Sequence, residues 1–163
     1  DGSSGPYSGV ASNVPVDHLD ANGHPVPELV AVYGRHKLAP VAATAFAAWR
    51  AAFGEEIIIT GAWRPIPASG ERPVSRADGA EIVPSIYAGH TSGEAVDLSL
   101  GAMGCDPYKN VGDPRRDKWE RLIAAAARTG WANWTLTAAG RPRTDLKEGR
   151  PVEPWHWSYN GRH

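Results

Sequence analysis

The residues of this chain that could do chemistry are two histidines and two carboxylates in two short segments. His90 and Asp97 lie in His90-Thr-Ser-Gly-Glu-Ala-Val-Asp97, and Glu153 precedes His156 in Glu153-Pro-Trp-His156. Two imidazoles and one carboxylate are a common ligand set for a catalytic zinc ion, and a glutamate outside the ligand set can act as general base. The pattern predicts a zinc peptidase in which Glu153 takes a proton from the zinc-bound water and passes it to the leaving amine.

Further residues are candidates to contact a substrate. Arg64 follows a predicted strand, and a guanidinium there can bind a substrate carboxylate or stabilise a tetrahedral oxyanion. A structural ion pair is the alternative for Arg64. The aromatic side chains that could line a groove are Tyr87, Trp155, Trp63 and Trp157.

Each candidate also has a purely structural alternative. His90 and Asp97 could form a structural hydrogen bond, and Glu153 could form a salt bridge at the end of an element. Asn133-Trp-Thr135 matches a glycosylation acceptor, a tripeptide that arises by chance, and it is given no functional weight. The histidines expected at the surface or in hydrogen bonds are His18, His24, His36 and His163. The aromatic residues expected in the core are Trp49, Trp119, Trp131 and Trp134. Cys105 is expected to be an unreactive thiol in a loop.

The predicted elements must bring the two segments together. The alternation over residues 95–100 predicts a strand with Asp97 on one face and apolar side chains on the other. His90 lies before this strand, and Gly93 permits a sharp bend between them. His156 must then come from a neighbouring strand, predicted over 152–159, so only folding can bring it close.

The remaining elements follow from local signals. Pro40 and Gly54 indicate the start and end of a helix over 38–53, and Asp113-Pro114 begins a helix that Gly130 ends. A shorter helix is predicted over 27–36, and strands over 56–61 and 131–136. The segments predicted to lack regular structure are 65–89, 101–112, 137–150 and 1–24, which leaves 25–163 as the catalytic domain.

Length and composition indicate one folded domain and argue against a nucleic-acid-binding or membrane-spanning protein. A length of 163 residues suits one domain, and 42% hydrophobic residues with seven Trp indicate a folded core. A net charge of −1 gives no basic surface for nucleic acid, and no apolar run approaches the roughly 20 residues of a membrane span. The single cysteine excludes an internal disulfide, and no signal peptide is visible.

The two segments together resemble the D-Ala-D-Ala metallopeptidase family. This family includes vancomycin-resistance D,D-carboxypeptidases, phage L-alanyl-D-glutamate endopeptidases and, by fold, the amino-terminal domain of sonic hedgehog. Its pattern Ser-x-His-x-x-Gly-x-Ala-x-Asp-Leu is similar to Ala88-Gly-His-Thr-Ser-Gly-Glu-Ala-Val-Asp-Leu98, and its later Glu-x-x-His is similar to Glu153-Pro-Trp-His156. Its strand ending in Ser-Gly-Tyr-Arg-Ser is similar to Thr60-Gly-Ala-Trp-Arg-Pro65. The resemblance extends from about residue 38 to 159.

The resemblance implies roles for five residues and a fold. It implies His90, Asp97 and His156 as Zn²⁺ ligands, Glu153 as general base, and Arg64 as a group that assists the substrate carbonyl or carboxylate. It also implies an α+β fold with a small central antiparallel sheet flanked by helices, like that of hedgehog and the D-Ala-D-Ala peptidases.

The chain departs from the family pattern at two places. Ala88 replaces the family serine, so the substrate contact of that hydroxyl would have to come from Ser92 or Ser85. Residues 101–112 also exceed the usual link after the aspartate strand and could reshape one wall of the cleft. Both departures bear on which bond is cleaved.

The expected function is therefore zinc-dependent hydrolysis of peptidoglycan stem peptides, of the D-alanyl-D-alanine carboxypeptidase type. The alternatives are an L-alanyl-D-glutamate endopeptidase of the phage-lysin type, a zinc-binding module without turnover, and a peptidase for small dipeptides. We expect a monomer that has no nucleic-acid partner. It would act outside the cytoplasm, as a secreted, periplasmic or cell-wall enzyme, or as a phage-encoded lysin.

Overall fold

The computed structural model describes residues 14–66, 89–146 and 151–160. Two antiparallel hairpins come first. Strand β1 (Val16–Leu19) pairs with β2 (Pro25–Pro27), and β3 (Val30–Tyr33) pairs with β4 (His36–Leu38). The part of segment 1–24 that is described thus contains a strand, where the sequence analysis predicts irregular structure.

A four-stranded antiparallel sheet forms the centre of the fold. Its strands are β5 (Ile59–Gly61), β6 (Ala95–Leu98), β7 (Trp131–Ala132) and β8 (His156–Tyr159). Their order across the sheet is β5-β6-β8-β7, so β6 and β8 are the two inner strands. The described residues therefore form a mixed α and β structure with small antiparallel sheets, as the α+β class requires.

Among the described residues, three helices accompany this sheet: α1 (Pro40–Phe53), α2 (Leu100–Met103) and α3 (Pro114–Arg128). Helix α1 has Pro40 in its first turn and ends at Gly54, which adopts a left-handed φ of 79°. Helix α3 begins after Asp113, whose side chain accepts a hydrogen bond from the Arg115 amide. The local signals that predict these two long helices are confirmed.

The hydrophobic core lies between helices α1 and α3 and one face of the sheet. Trp157 of β8 packs against Trp49 of α1 and Trp119 of α3, with ring centroids 5.4 and 6.1 Å apart. The Trp49 indole also donates to the Leu122 carbonyl at 3.1 Å, which links the two helices. Because successive side chains in a strand point to opposite faces, the neighbours of Trp157 in β8 face away from this core.

Several predictions from the sequence are wrong in detail. The helix predicted over 27–36 is the β3–β4 hairpin, because β-branched and aromatic residues favour strands and Gly34 turns the chain at a φ of 54°. Leu100 begins α2 instead of ending β6, so the loop predicted over 101–112 contains part of a short helix.

The predicted strands are also longer than the observed ones. Strand β5 begins at Ile59, and β7 has only two residues. Strand β8 begins at His156, because Pro154 has no N–H to donate to a ladder.

Three of the four tryptophans expected in the core are buried. Trp49, Trp119 and Trp131 are buried as predicted, while Trp134 is half-buried. Trp157 was a candidate to line a substrate groove, but its ring belongs to the core at 4% exposure. Within the described residues, no helix has the length and apolar character needed to cross a membrane.

Candidate metal site

The sheet register places Asp97 and His156 side by side. Asp97 of β6 is the direct antiparallel partner of His156 of β8, one residue from the Val96–Trp157 pair that faces the core. Directly opposed residues have Cβ atoms about 4.5–5.5 Å apart, close enough for their side chains to meet. His156 Nδ1 lies 3.0 Å from Asp97 Oδ1. Both side chains therefore lie on the sheet face away from the helices.

His90 reaches the same place from the turn that precedes β6. Its carbonyl oxygen accepts from the amides of Arg64 and Gly93, each at 3.2 Å, which ties the turn to the chain after β5. Gly93 has a φ of 75°, and a Cβ there would lie 2.7 Å from the Ala39 amide nitrogen. A side chain at position 93 would thus be strained and would clash with backbone, which explains the glycine.

The three side chains form one buried cluster. The candidate ligand atoms of His90, Asp97 and His156 all lie within 4.8 Å of one another, and the residues are 0%, 8% and 1% exposed. Within the described residues, no other group of three His, Cys, Asp or Glu converges in this way. The structure thus brings together the three predicted ligands, and the cluster could hold a metal ion.

The partners of His90 indicate which ring nitrogen can bind a cation. His90 Nδ1 lies 2.6 Å from the Ala62 carbonyl oxygen, and because a carbonyl only accepts, Nδ1 must carry a proton. In the neutral ring, Nε2 then presents a lone pair, yet it lies 3.3 Å from Asp97 Oδ1, another acceptor. Two buried acceptors that face each other are complementary to a cation between them, and a carbonyl behind the ligand ring is a usual support.

His156 has a comparable arrangement. Its Nε2 lies 3.4 Å from the hydroxyl oxygen of Ser158, two residues further along the same face of β8. When Nε2 donates to that hydroxyl, Nδ1 presents its lone pair toward Asp97 Oδ1. Both imidazoles can therefore offer a lone pair to the same carboxylate oxygen.

The surroundings favour protonation states that bind metal. Burial lowers the pKa of His90 below its ordinary value, against the opposing effect of Asp97. Burial opposes ionisation of Asp97, but when the facing nitrogens of His156 and His90 carry protons, their hydrogen bonds outweigh burial and hold the pKa of this carboxyl well below its usual range. A cation between the three groups would take the place of those protons. A neutral imidazole and an ionised carboxylate are the forms that coordinate metal ions.

Arg64 lies against the second oxygen of Asp97. Its Nη2 donates to Asp97 Oδ2 at 2.8 Å, and its side chain is 28% exposed. A Cβ at Gly61, the strand partner of Asp97, would lie 2.5 Å from Arg64 Nη2, so the glycine leaves the space that the guanidinium occupies. Arg64 forms the ion pair considered as its structural alternative, and it orients Asp97 so that Oδ1 faces the histidines.

Glu153 lies in the turn that leads into β8. It is 9% exposed, and its carbonyl oxygen accepts from the His156 amide at 3.1 Å. The predicted base and the predicted ligand thus belong to one short hydrogen-bonded turn. Pro154 follows Glu153, and its ring restricts its own φ to a value that favours this turn.

The three predicted substrate residues lie in different settings. Ser92 is 5% exposed, and its hydroxyl donates to the Gly89 carbonyl at 3.0 Å within the His90 turn. Trp155 lies between Glu153 and His156 and is 39% exposed, as expected of a surface that could contact a ligand. Tyr87 lies outside the described residues, as do Ser85 and Ala88.

Sequence reasoning missed the groups that support the ligands. These are the Ala62 carbonyl, the space that Gly61 leaves for the Arg64 guanidinium, and the Ser158 hydroxyl. Strand alternation could have identified Ser158, because residues 156 and 158 of one strand share a face. No pattern of residue types marks a carbonyl oxygen or a register partner.

No protein-family model matches the sequence, and no curated protein matches it significantly. The geometry of the His90, Asp97 and His156 cluster is therefore the main evidence about function.

Proposed function

We propose that this chain is a zinc-dependent peptidase that hydrolyses peptidoglycan stem peptides, of the D-alanyl-D-alanine carboxypeptidase type. The proposal includes a fold like that of hedgehog and the D-Ala-D-Ala peptidases, and action outside the cytoplasm or as a phage lysin. The observation that carries it is the convergence of His90, Asp97 and His156 in one buried cluster, with Glu153 buried in the turn before His156.

Zinc suits the donor set better than Mg²⁺ or Ca²⁺. Two imidazole nitrogens and one carboxylate oxygen are typical of catalytic zinc sites, whereas Mg²⁺ and Ca²⁺ prefer oxygen ligands alone. When bound, zinc would supply a Lewis acid that polarises the scissile carbonyl and makes water nucleophilic near neutral pH. His90 and His156 would hold it through Nε2 and Nδ1, and Asp97 would be the third ligand through Oδ1.

Glu153 supplies the proton transfers in this proposal. Its carboxylate takes the proton from the attacking water and delivers it to the amine of the leaving residue, so that it returns to its ionised form. A site that only binds a metal needs no such base. The burial of Glu153 beside a candidate ligand therefore supports catalysis over a non-catalytic metal-binding module.

Arg64 and Trp155 are the groups we assign to the substrate. The Arg64 side chain is partly exposed beside Asp97, and a guanidinium has five N–H donors, so it can also bind a substrate carbonyl or terminal carboxylate. Trp155 offers an exposed ring between the proposed base and a proposed ligand. A terminal carboxylate is what a carboxypeptidase must recognise.

The test is digestion of purified muropeptides by the zinc-loaded chain, followed by mass spectrometry. Release of free D-Ala from a pentapeptide stem supports the carboxypeptidase. Release of a stem that lacks its L-Ala indicates the L-alanyl-D-glutamate endopeptidase instead. Cleavage of neither bond, with one metal ion bound, contradicts the assignment to peptidoglycan stem peptides and favours a metal-binding module or a peptidase for another substrate. Glu153→Gln is the matched inactive control.

A further inference from the structure

The segment from Asn133 to Thr135 forms a hydrogen-bonded network with the backbone of Glu153. The Asn133 side-chain amide donates to the Glu153 carbonyl oxygen at 2.8 Å, and the Glu153 amide donates to the Thr135 hydroxyl at 3.1 Å. The Thr135 hydroxyl in turn donates to Asn133 Oδ1 at 2.7 Å. The Thr135 amide donates to the same oxygen at 3.0 Å, which holds the Asn133 side chain in place. Both backbone polar groups of Glu153 are thus held from one loop.

This network restricts the backbone of Glu153 and thereby the direction in which its side chain leaves the chain. Glu153 precedes β8, so its amide has no ladder partner in the sheet, and the next residue is Pro154. Holding the amide and the carbonyl of one residue restricts its φ and ψ, and these two angles set where its Cα–Cβ bond points. Thr135 is 0% exposed, so water cannot readily replace its hydroxyl.

The rest of the turn is held by other groups. The Trp157 indole donates to the Pro154 carbonyl at 2.9 Å, and the Leu98 amide donates to the Trp155 carbonyl at 2.9 Å. The ligand side chains are supported by Ala62, Arg64 and Ser158. The groups of residues 133–135 that hold Glu153 therefore differ from the groups that hold the side chains of the proposed metal ligands, although the Glu153 carbonyl also accepts from the His156 amide.

We infer that Asn133 and Thr135 are positioning residues that orient the Glu153 carboxylate. This inference rests on the proposed function, in which Glu153 is the general base. Asn133-Trp-Thr135, which has the form of a glycosylation acceptor, uses its amide and hydroxyl groups inside the fold. The loop after β7 thereby acts on catalysis without touching the substrate.

Replacement of Thr135 by valine tests this role with little change of shape. Thr135→Val keeps the branched side chain and removes the oxygen that accepts from the Glu153 amide. We expect kcat to fall about 10- to 100-fold, since misplacing a catalytic group by about 1 Å has effects of this size. KM and the bound metal should stay as in the wild type, because the base acts in the transition state. Thr135→Ser restores the hydroxyl and should recover most of the lost rate.

A second readout does not depend on activity. In the zinc-loaded chain, NMR-detected hydrogen exchange of the Glu153 amide should be about tenfold faster in Thr135→Val than in the wild type, because its acceptor is gone. Thr137→Val is the matched control. The Thr137 hydroxyl accepts from the Arg141 amide at 3.2 Å in the same loop, so the control loses the same type of bond at an exposed position away from Glu153. It should change neither kcat nor the exchange of the Glu153 amide.

The outcomes separate this inference from the proposed function. If the wild type is active and Thr135→Val has an unchanged kcat, the positioning role alone is overturned. An unchanged exchange rate of the Glu153 amide in this variant would also overturn it. Parallel loss of bound metal and activity in Thr135→Val would also overturn it, since the loop would then support the whole site. A zinc-loaded wild type that cleaves no stem peptide would contradict the proposed function, and the catalytic part of the inference with it.

Discussion

Arg64 donates to Asp97 Oδ2 at 2.8 Å while Oδ1 of the same carboxylate faces both histidines. The two oxygens of Asp97 therefore have different partners. A guanidinium on one oxygen restricts rotation of the carboxylate and leaves the other oxygen directed toward the position between His90 and His156. Groups that hydrogen-bond to a metal ligand orient it and thereby raise metal affinity.

Removal of this ion pair should weaken metal binding. We expect Arg64→Ala to lower zinc affinity about 10- to 100-fold, the usual effect of losing a partner of a metal ligand. Gly61→Ala should act in the same direction but more weakly, because its methyl group would displace the flexible guanidinium. Competition with a chromophoric chelator measures both affinities. Arg115→Ala, which removes a surface ion pair with Asp113, is the control, and an Arg64→Ala affinity equal to that of this control would contradict the assignment.

Replacement of Glu153 should affect catalysis without affecting metal binding. Glu153→Gln should retain one zinc ion and lose about 10²- to 10⁴-fold in kcat, the usual contribution of a positioned general base. Metal analysis and stem-peptide turnover on the same sample provide the comparison. Glu120→Gln, which alters an ion pair of α3 with Arg116, should leave both unchanged. Turnover by Glu153→Gln at the wild-type rate would remove Glu153 from the mechanism.

The buried thiol of Cys105 should make stability depend on pH in the alkaline range. Burial raises the pKa of Cys105 from 9.0 to about 11. Between these values the unfolded chain loses a proton that the folded chain keeps, so folding stability falls as pH rises from 9 toward 11. Denaturant unfolding of wild type and Cys105→Ala over this range should show the wild type declining more steeply. Parallel curves would place the thiol in contact with water.

His90 should make the folding stability of the metal-free protein depend on pH in the acidic range as well. Its pKa lies below the ordinary 6.5 because the ring is buried. Below pH 6.5 the unfolded chain binds a proton that the folded chain does not, so stability falls as pH decreases from this value. Unfolding of the chelator-treated wild type between pH 5 and 8 measures this slope. His90→Asn should flatten it, and an equal slope in both proteins would contradict a buried neutral ring.

The long helices could be predicted because their signals are local, and the candidate ligands because their residue types are distinctive. Pro40, Gly54 and Asp113 act on their own turns of helix, and the structure has helices at these places. His90, Asp97 and His156 are chemically distinctive, so their residue types indicate a metal site before their distances are known.

The supports of the site could not be predicted because they depend on register and packing. Asp97 pairs with His156 and lies beside Gly61 only through the alignment of three strands. The sequence predicts a helix over residues 27–36 where the structure has most of the β3–β4 hairpin, because a short apolar run fits either period. Asn133 and Thr135 acquire their role only when residue 153, far along the sequence, is packed against them.

The most direct test of the metal site is a crystal structure of the zinc-soaked chain, with anomalous data collected at the zinc edge. We expect one strong anomalous peak about 2.0–2.2 Å from His90 Nε2, His156 Nδ1 and Asp97 Oδ1, the distances typical of zinc. His156→Ala, treated in the same way, should lose that peak. A peak bound by other residues, or no peak among these three side chains in the wild type, would contradict the assignment.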